Sequence, residues 1–248
     1  MRVRLLVAYD GSCFSGFARN QGVITVAETL EEYIGAICRA PVTVTGAGRT
    51  DKGVHASGQV VSFDAPDDLD LERLQRSLNS RGAGRLVVRE VVEADPSFDA
   101  RFSAIWRRYR YTIVNSAFPD VVGRHTSWHV HEPLSVEAME QACAPLVGLH
   151  DFACFCRRPK RDDGIEVSLV RTVKSAGWKR GAGDELIFEI TASAFCQQMV
   201  RSIVGTLVDV GRGQLTAAAM VEILRRGDRQ RAGQVAPPWG LSLYEVGY

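Results

Sequence analysis

The stretch Phe195 to Val210 reads as a helix that is apolar on nearly every side, with Gly211 as its stop. A helix without a polar face has to be buried, and this one is expected at the centre of the molecule. No apolar run in the chain approaches the length of a membrane span, so the cover has to come from the protein itself. Strands and amphipathic helices supply it. Val3, Leu5 and Val7 alternate with Arg2, Arg4 and Leu6, which predicts a strand over residues 2–9.

The order of the remaining elements predicts a fold class. Thr25-Val26-Ala27-Glu28 is a capping box, and Val26, Leu30, Tyr33, Ile34 and Ile37 give the helix it opens one apolar face. Val42 to Thr45 reads as a strand and Gln59 to Phe63 as its successor. Asp70 caps a helix with Leu71, Leu74 and Leu78 inward, and Leu86 to Val92 reads as a buried strand. Strand, helix, strand, strand, helix, strand is the ferredoxin-like order. The second half repeats it: strand Arg107–Val114, a helix from Ser135, strands Ser168–Trp178 and Glu185–Thr191, the apolar helix, a short helix Thr216–Arg226, and a closing strand Leu241–Val246. The pattern predicts an α+β protein of two βαββαβ halves, residues 1–100 and 101–248. They are expected side by side, forming an extended, mainly antiparallel sheet with helices on one face and a central cleft.

Composition narrows the function classes. Apolar residues are 46% and charged residues 24%, values of an ordinary globular protein. The start, Met1 to Val7, is interrupted too early to read as a signal peptide, so a cytoplasmic location is expected. The six cysteines are scattered, and Cys154 and Cys156 lack the spacing of zinc or redox pairs, so all six are expected to be reduced. His129 and His131 share a strand face without a third ligand near, which argues against a metal site. Net charge is only +1, yet the cations cluster: Arg101, Arg107, Arg108 and Arg110; Arg157, Arg158, Lys160 and Arg161; Arg225, Arg226, Arg229 and Arg231. Segregation of this kind fits a positive face on a neutral body.

The chemistry concentrates in Gly48-Arg49-Thr50-Asp51-Lys52-Gly53-Val54-His55-Ala56. Gly48 and Gly53 permit tight backbone and close approach of another molecule. A guanidinium two residues away favours the ionised form of Asp51, making it a candidate nucleophile. By spacing alone the segment reads first as a solvated hairpin loop, since Gly-Asp-Lys turns are common. Further along, Tyr109 and Tyr111 alternate with Arg108 and Arg110, so the rings share one strand face and the guanidiniums the other. Arg201 is a lone cation in the apolar helix and needs a partner if buried.

The nine-residue segment resembles the signature of the tRNA pseudouridine synthase A family. Tyr9-Asp10-Gly11-Ser12, Phe98 to Ala104 with Trp106 to Tyr111, Ala192 to Gly205, and Gly240-Leu241 are similar to that family's other motifs. The resemblance implies the same two-half architecture, with an RNA-binding cleft. It implies Asp51 as the catalytic residue, Arg201 as its ion-pair partner, Tyr109 as the active-site ring and Leu241 as an apolar wall. Arg49 is implied in the space of a flipped-out nucleotide or on its phosphate, and His55, Arg107 and Arg108 join the residues expected to hold substrate. The reaction implied is uridine to pseudouridine at positions 38 to 40 of the tRNA anticodon stem-loop, by a homodimer and without a cofactor. Asp51 would act at C1′ or at the C2′ proton. Two stretches depart from the family's pattern: Phe17-Ala18 stands where Trp-Gln is usual, and Ser80 to Gly84 replaces an Asn-x-x-Leu-Pro segment. These departures keep open an inactive tRNA-binding or tRNA-folding protein of the same fold. A metal-dependent aspartyl hydrolase or phosphotransferase fits poorly, since no second acid lies near Asp51 in sequence.

Overall fold

The computed structural model describes residues 1–158 and 167–248. The chain forms two compact units, one of Met1–Arg107 with Ser242–Tyr248, the other of Arg108–Leu241. Residues 101–107 and the last strand therefore group with the first unit rather than with residues 108–241. Both units are mixed α+β, and no described helix is long and apolar enough to cross a membrane.

The first unit runs β1 (Arg2–Tyr9), α1 (Val26–Cys38), β2 (Thr45–Gly46), β3 (His55–Asp64), α2 (Leu71–Gly82) and β4 (Leu86–Ala94). The three capping residues read from the sequence do their work. Thr25 accepts from the Glu28 amide, Asp70 from Arg73 and, in the second unit, Ser135 from Ala138. β1 is central, antiparallel to β3 on one side and β4 on the other. β4 is one-sided rather than fully buried, because it pairs at the end of the strand order and alternates its exposure.

β2 is shorter than the run Val42–Thr45 predicts. Only Thr45 and Gly46 pair with β3, opposite Ser62 and Val61. The Val44 amide instead donates to the buried Glu31 carboxylate of α1 at 3.0 Å, which diverts the backbone from the sheet. The lower part of β3 takes a different partner. The last strand, β10 (Leu241–Gly247), lies parallel to it, Ser242 opposite His55 and Leu243 opposite Ala56.

The second unit contains β5 (Trp106–Asn115), whose residues from Arg108 onward belong to it, β6 (Trp128–Val130), α3 (Val136–Gln141), β7 (Gly148–Asp151), β8 (Val170–Arg180), β9 (Glu185–Ala192), α4 (Met199–Gly211) and α5 (Ala219–Arg226). Its sheet order is β5-β9-β8-β7, with β6 parallel to β5. α4 is buried on nearly all sides, as its composition demands. It starts four residues later than Phe195, because Gln198 adopts a left-handed φ of 66° and breaks the helical run. Two cysteines depart from the reduced state expected of all six: Cys156 and Cys196, 40 positions apart, are joined in a disulfide with Cα atoms 5.7 Å apart. That proximity is created by the fold and leaves no trace in local spacing.

Candidate active site

In the first unit, residues 47–54 form the loop between β2 and β3, and its backbone is fixed from three directions. From β3, the fully buried Gln59 side chain donates to the Gly48 carbonyl at 2.7 Å and accepts from the Gly48 amide at 3.2 Å. From β1, Tyr9 shares a 2.8 Å hydroxyl contact with Thr50, and Gln59 also donates to the Tyr9 hydroxyl at 3.4 Å. Burial pushes the Tyr9 phenol up to about 12, so it stays neutral as a hydrogen-bonding group. From the turn after β1, Phe17 donates its amide to the Thr50 carbonyl at 3.0 Å.

That turn lies directly on the loop because two glycines allow it. A Cβ on Gly11 would collide with the Val54 carbonyl, and one on Gly16 would come within 2.9 Å of the Thr50 carbonyl. Gly16 also has φ of 105°, where a side chain is strained. Within the loop itself Gly53 needs its left-handed φ of 80°. Gly48 does not; its role is to meet Gln59. Thr50 and Val54 are buried, Arg49 and Lys52 are exposed, and Asp51 between them is half-buried. His55 accepts from the Gly11 amide at Nδ1 (3.1 Å), which leaves its other ring nitrogen as the proton carrier in the neutral form, and Asp10 lies 3.3 Å from the same atom.

Arg107 sits elsewhere than on a solvent face. It donates from Nε and one terminal nitrogen to the Ala47 carbonyl (3.1 and 3.0 Å), from that same nitrogen to Arg101 (2.6 Å), and from the other to Ala104 (3.1 Å). It thus ties the 101–104 turn to the residue that opens the Asp51 loop. In the first departure from the family pattern, the Phe17 ring packs over Gly46, where any Cβ would strike it. Ser80 to Gly82 of the second continue α2, and Asn79 just before them exchanges two hydrogen bonds with Val88 (2.7 and 2.9 Å), anchoring α2 to β4.

In the second unit, β5 places Tyr109 and Tyr111 on its buried face, as the alternation predicts. The Tyr109 ring meets Phe195 edge-on at 4.9 Å. Tyr111 is a core residue whose hydroxyl donates to the Pro237 carbonyl at 2.8 Å, and burial pushes its pKa far up. On the other face Arg108 donates to Thr191 (3.2 Å) and Arg110 pairs with Glu189 (2.6 Å). Arg201 stands in the first turn of α4. Its Nε donates to the Ala236 carbonyl at 2.6 Å, and the Ala236 amide returns a bond to the Arg201 carbonyl at 3.1 Å. Residues 233–236 lie along α4 as a strap: the Gly233 amide reaches Thr206 at 2.9 Å, and Gly205 leaves room for the Gln234 carbonyl. Leu241, at the end of this stretch, is 6% exposed.

Sequence reasoning missed Gln59, the bonding of Tyr9 to Thr50 and Gln59, and the strap. Gln59 had a signal: an amide amid Val60, Val61 and Phe63 in a strand has to find buried partners. Lys160 and Arg161 of the second basic cluster lie outside the described residues.

The loop thus carries one carboxylate, Asp51, on a backbone held by its neighbours, on a mixed α+β frame. Residues 5–103 and 142–248 match the family described as tRNA pseudouridine synthase. The chain is 40% identical over 247 residues to the tRNA pseudouridine synthase A of Brevibacillus brevis, covering all of this chain and 99% of that one. It is 38% identical over 251 residues to the protein of that name from Bacillus subtilis, with the same coverage, and 39% identical to that of Leifsonia xyli, covering 91% of it. The chain belongs to the tRNA pseudouridine synthase family.

Proposed function

We propose that this protein isomerises uridine to pseudouridine in tRNA, at positions 38 to 40 of the anticodon stem-loop. The observation that carries the reading is the Asp51 loop, whose backbone is held at Gly48, Thr50 and Val54 while Arg49 and Lys52 are exposed and Asp51 between them is half-buried. In the reaction the N1–C1′ bond breaks, the uracil turns, C5 bonds to C1′ and loses its proton, and N1 takes one up. Asp51 is the catalytic residue, Arg201 its electrostatic partner and Tyr109 the ring that meets the uracil. Leu241 supplies apolar wall, and Arg49, His55, Arg107 and Arg108 hold or frame the substrate. Extruding the base costs a few kcal/mol, which backbone contacts from the arginines offset. A homodimer is part of the proposal, and light scattering of the purified protein tests it.

The deciding experiment is release of tritium from C5-labelled unmodified tRNA, followed by pseudouridine mapping, with the wild type and Asp51→Ala. The expected result is pseudouridine confined to positions 38 to 40 for the wild type and no turnover for Asp51→Ala, which should still bind tRNA. Turnover by Asp51→Ala would remove the assigned role. Binding without any pseudouridine from the wild type would instead favour a tRNA-binding protein of the same fold.

A further inference from the structure

Residues 233–237 belong to no helix or strand, yet they run beside the most buried helix of the second unit. Ala236 stands before a proline, which keeps it out of the helical region. Pro237 itself is extended, with φ of −54° and ψ of 149°. An extended stretch of this kind makes no bonds within itself, so its polar groups have to find partners elsewhere. They find them on α4 and β5 of the same unit.

α4 holds one end. The buried Thr206 hydroxyl accepts from the Gly233 amide at 2.9 Å and donates to the Ser202 carbonyl at 2.9 Å, so the helix fixes its direction. Gly205 and Gly233 let the two backbones meet: a Cβ on the first would strike the Gln234 carbonyl, and one on the second the Asp209 carboxylate. β5 holds the other end, where the Tyr111 hydroxyl donates to the Pro237 carbonyl at 2.8 Å. Between the two holds lies the Ala236 carbonyl, fully buried, and it accepts from Arg201 Nε at 2.6 Å. In a planar guanidinium the direction of Nε–H sets that of the two terminal nitrogens. The strap therefore aims the charged group of Arg201. Burial pushes the Tyr111 phenol up and the Arg201 charge opposes the push, which places the two side chains near the same peptide.

We propose that residues 233–237 are a positioning strap for Arg201, and that Thr206 and Tyr111 are positioning residues that act through it. The proposal rests on the reading of Arg201 as the electrostatic partner of the catalytic acid. Thr206 sets where the strap leaves α4, and Tyr111 sets the peptide whose neighbour receives Nε. Loosening either end leaves Arg201 in place on its helix and lets its guanidinium turn. The loss is then one of alignment in the transition state rather than of substrate binding.

The test uses the full chain and unmodified tRNA, with two readouts. The first is the proton NMR signal of Arg201 Nε–H, assigned by its disappearance in Arg201→Lys. The second is pseudouridine formation, resolved into kcat and KM. Thr206→Val removes the acceptor of the Gly233 amide, Thr206→Ser restores it, and Tyr111→Phe releases the other end. Ile190→Val, a buried residue of β9, is the control for lost stability. All assays run below the melting range of every variant. The wild type and Thr206→Ser are expected to show a slowly exchanging Nε–H, and Thr206→Val and Tyr111→Phe to lose it. In those two variants kcat should fall roughly tenfold, with KM for tRNA within about twofold of the wild type. Ile190→Val should keep both the signal and kcat. A slowly exchanging Nε–H in both Thr206→Val and Tyr111→Phe would overturn the proposal. So would its loss without a fall in kcat, or an equal fall in Ile190→Val. Wild-type turnover by Arg201→Ala is a separate result: it would remove the role of Arg201 itself, and the proposal with it.

Discussion

Gln59 has no exposed surface, and its amide satisfies both polar groups of Gly48. Gln59→Leu keeps the bulk but strands that amide and carbonyl inside the fold. It should cost about 1–3 kcal/mol in urea unfolding and lower kcat, because the Asp51 loop loses its hold from β3. Tyr9 makes a prediction about alkali. Its folded pKa is raised to about 12 by burial, against about 10 when unfolded. The fold favours the neutral phenol, so this contribution is complete below about pH 10 and is lost as pH rises through about 12. Melting temperature should fall over that window, and Tyr9→Phe should flatten the fall. Tyr111 and Tyr248, also pushed up by burial, account for the remainder. Arg107 tests positioning against direct binding. If its work is to clamp Ala47, Ala104 and Arg101, Arg107→Gln lowers kcat by roughly ten- to a hundredfold with KM for tRNA little changed. A rise in KM at constant kcat would place the guanidinium on the substrate instead.

Among elements, Gly16 is the sharpest test of how the turn after β1 lies on the Asp51 loop. Gly16→Ala brings both a strained φ of 105° and a Cβ 2.9 Å from the Thr50 carbonyl. It should cost about 1–3 kcal/mol and reduce turnover more than tRNA binding. Helix starts were legible because their caps are local: Thr25, Asp70 and Ser135 each bond an amide three residues on. The start of α4 was not, since the left-handed Gln198 depends on its surroundings, among them Arg229 31 positions away. Val42–Val44 has strand composition, yet a helix carboxylate takes the Val44 amide, an interaction no strand pattern announces. The same division applies to the candidate site. Asp51, Tyr109 and Arg201 stand out by motif, whereas the Gln59–Gly48 pair and the 233–236 strap join residues far apart in the chain.

At the scale of the molecule, the first unit is discontinuous. β10 lies parallel to β3, the Gly58 Cα faces the Tyr244 carbonyl closely enough to exclude any Cβ, and the Tyr248 hydroxyl donates to the Ala100 carbonyl at 2.8 Å. Deleting residues 242–248 should therefore destabilise residues 1–107, seen as loss of amide-exchange protection in β3, and expose an unpaired strand edge prone to self-association. The arrangement also sets a clock. Residues 1–107 are translated well before residues 242–248, the strand that completes their sheet. At about 5–20 residues per second, the part of β3 that β10 covers waits roughly 10–40 seconds unpaired. A slow, non-local closing step of this kind is where nascent chains aggregate or recruit chaperones. The order of synthesis, and not the final stability alone, should then bear on how much folded protein is obtained.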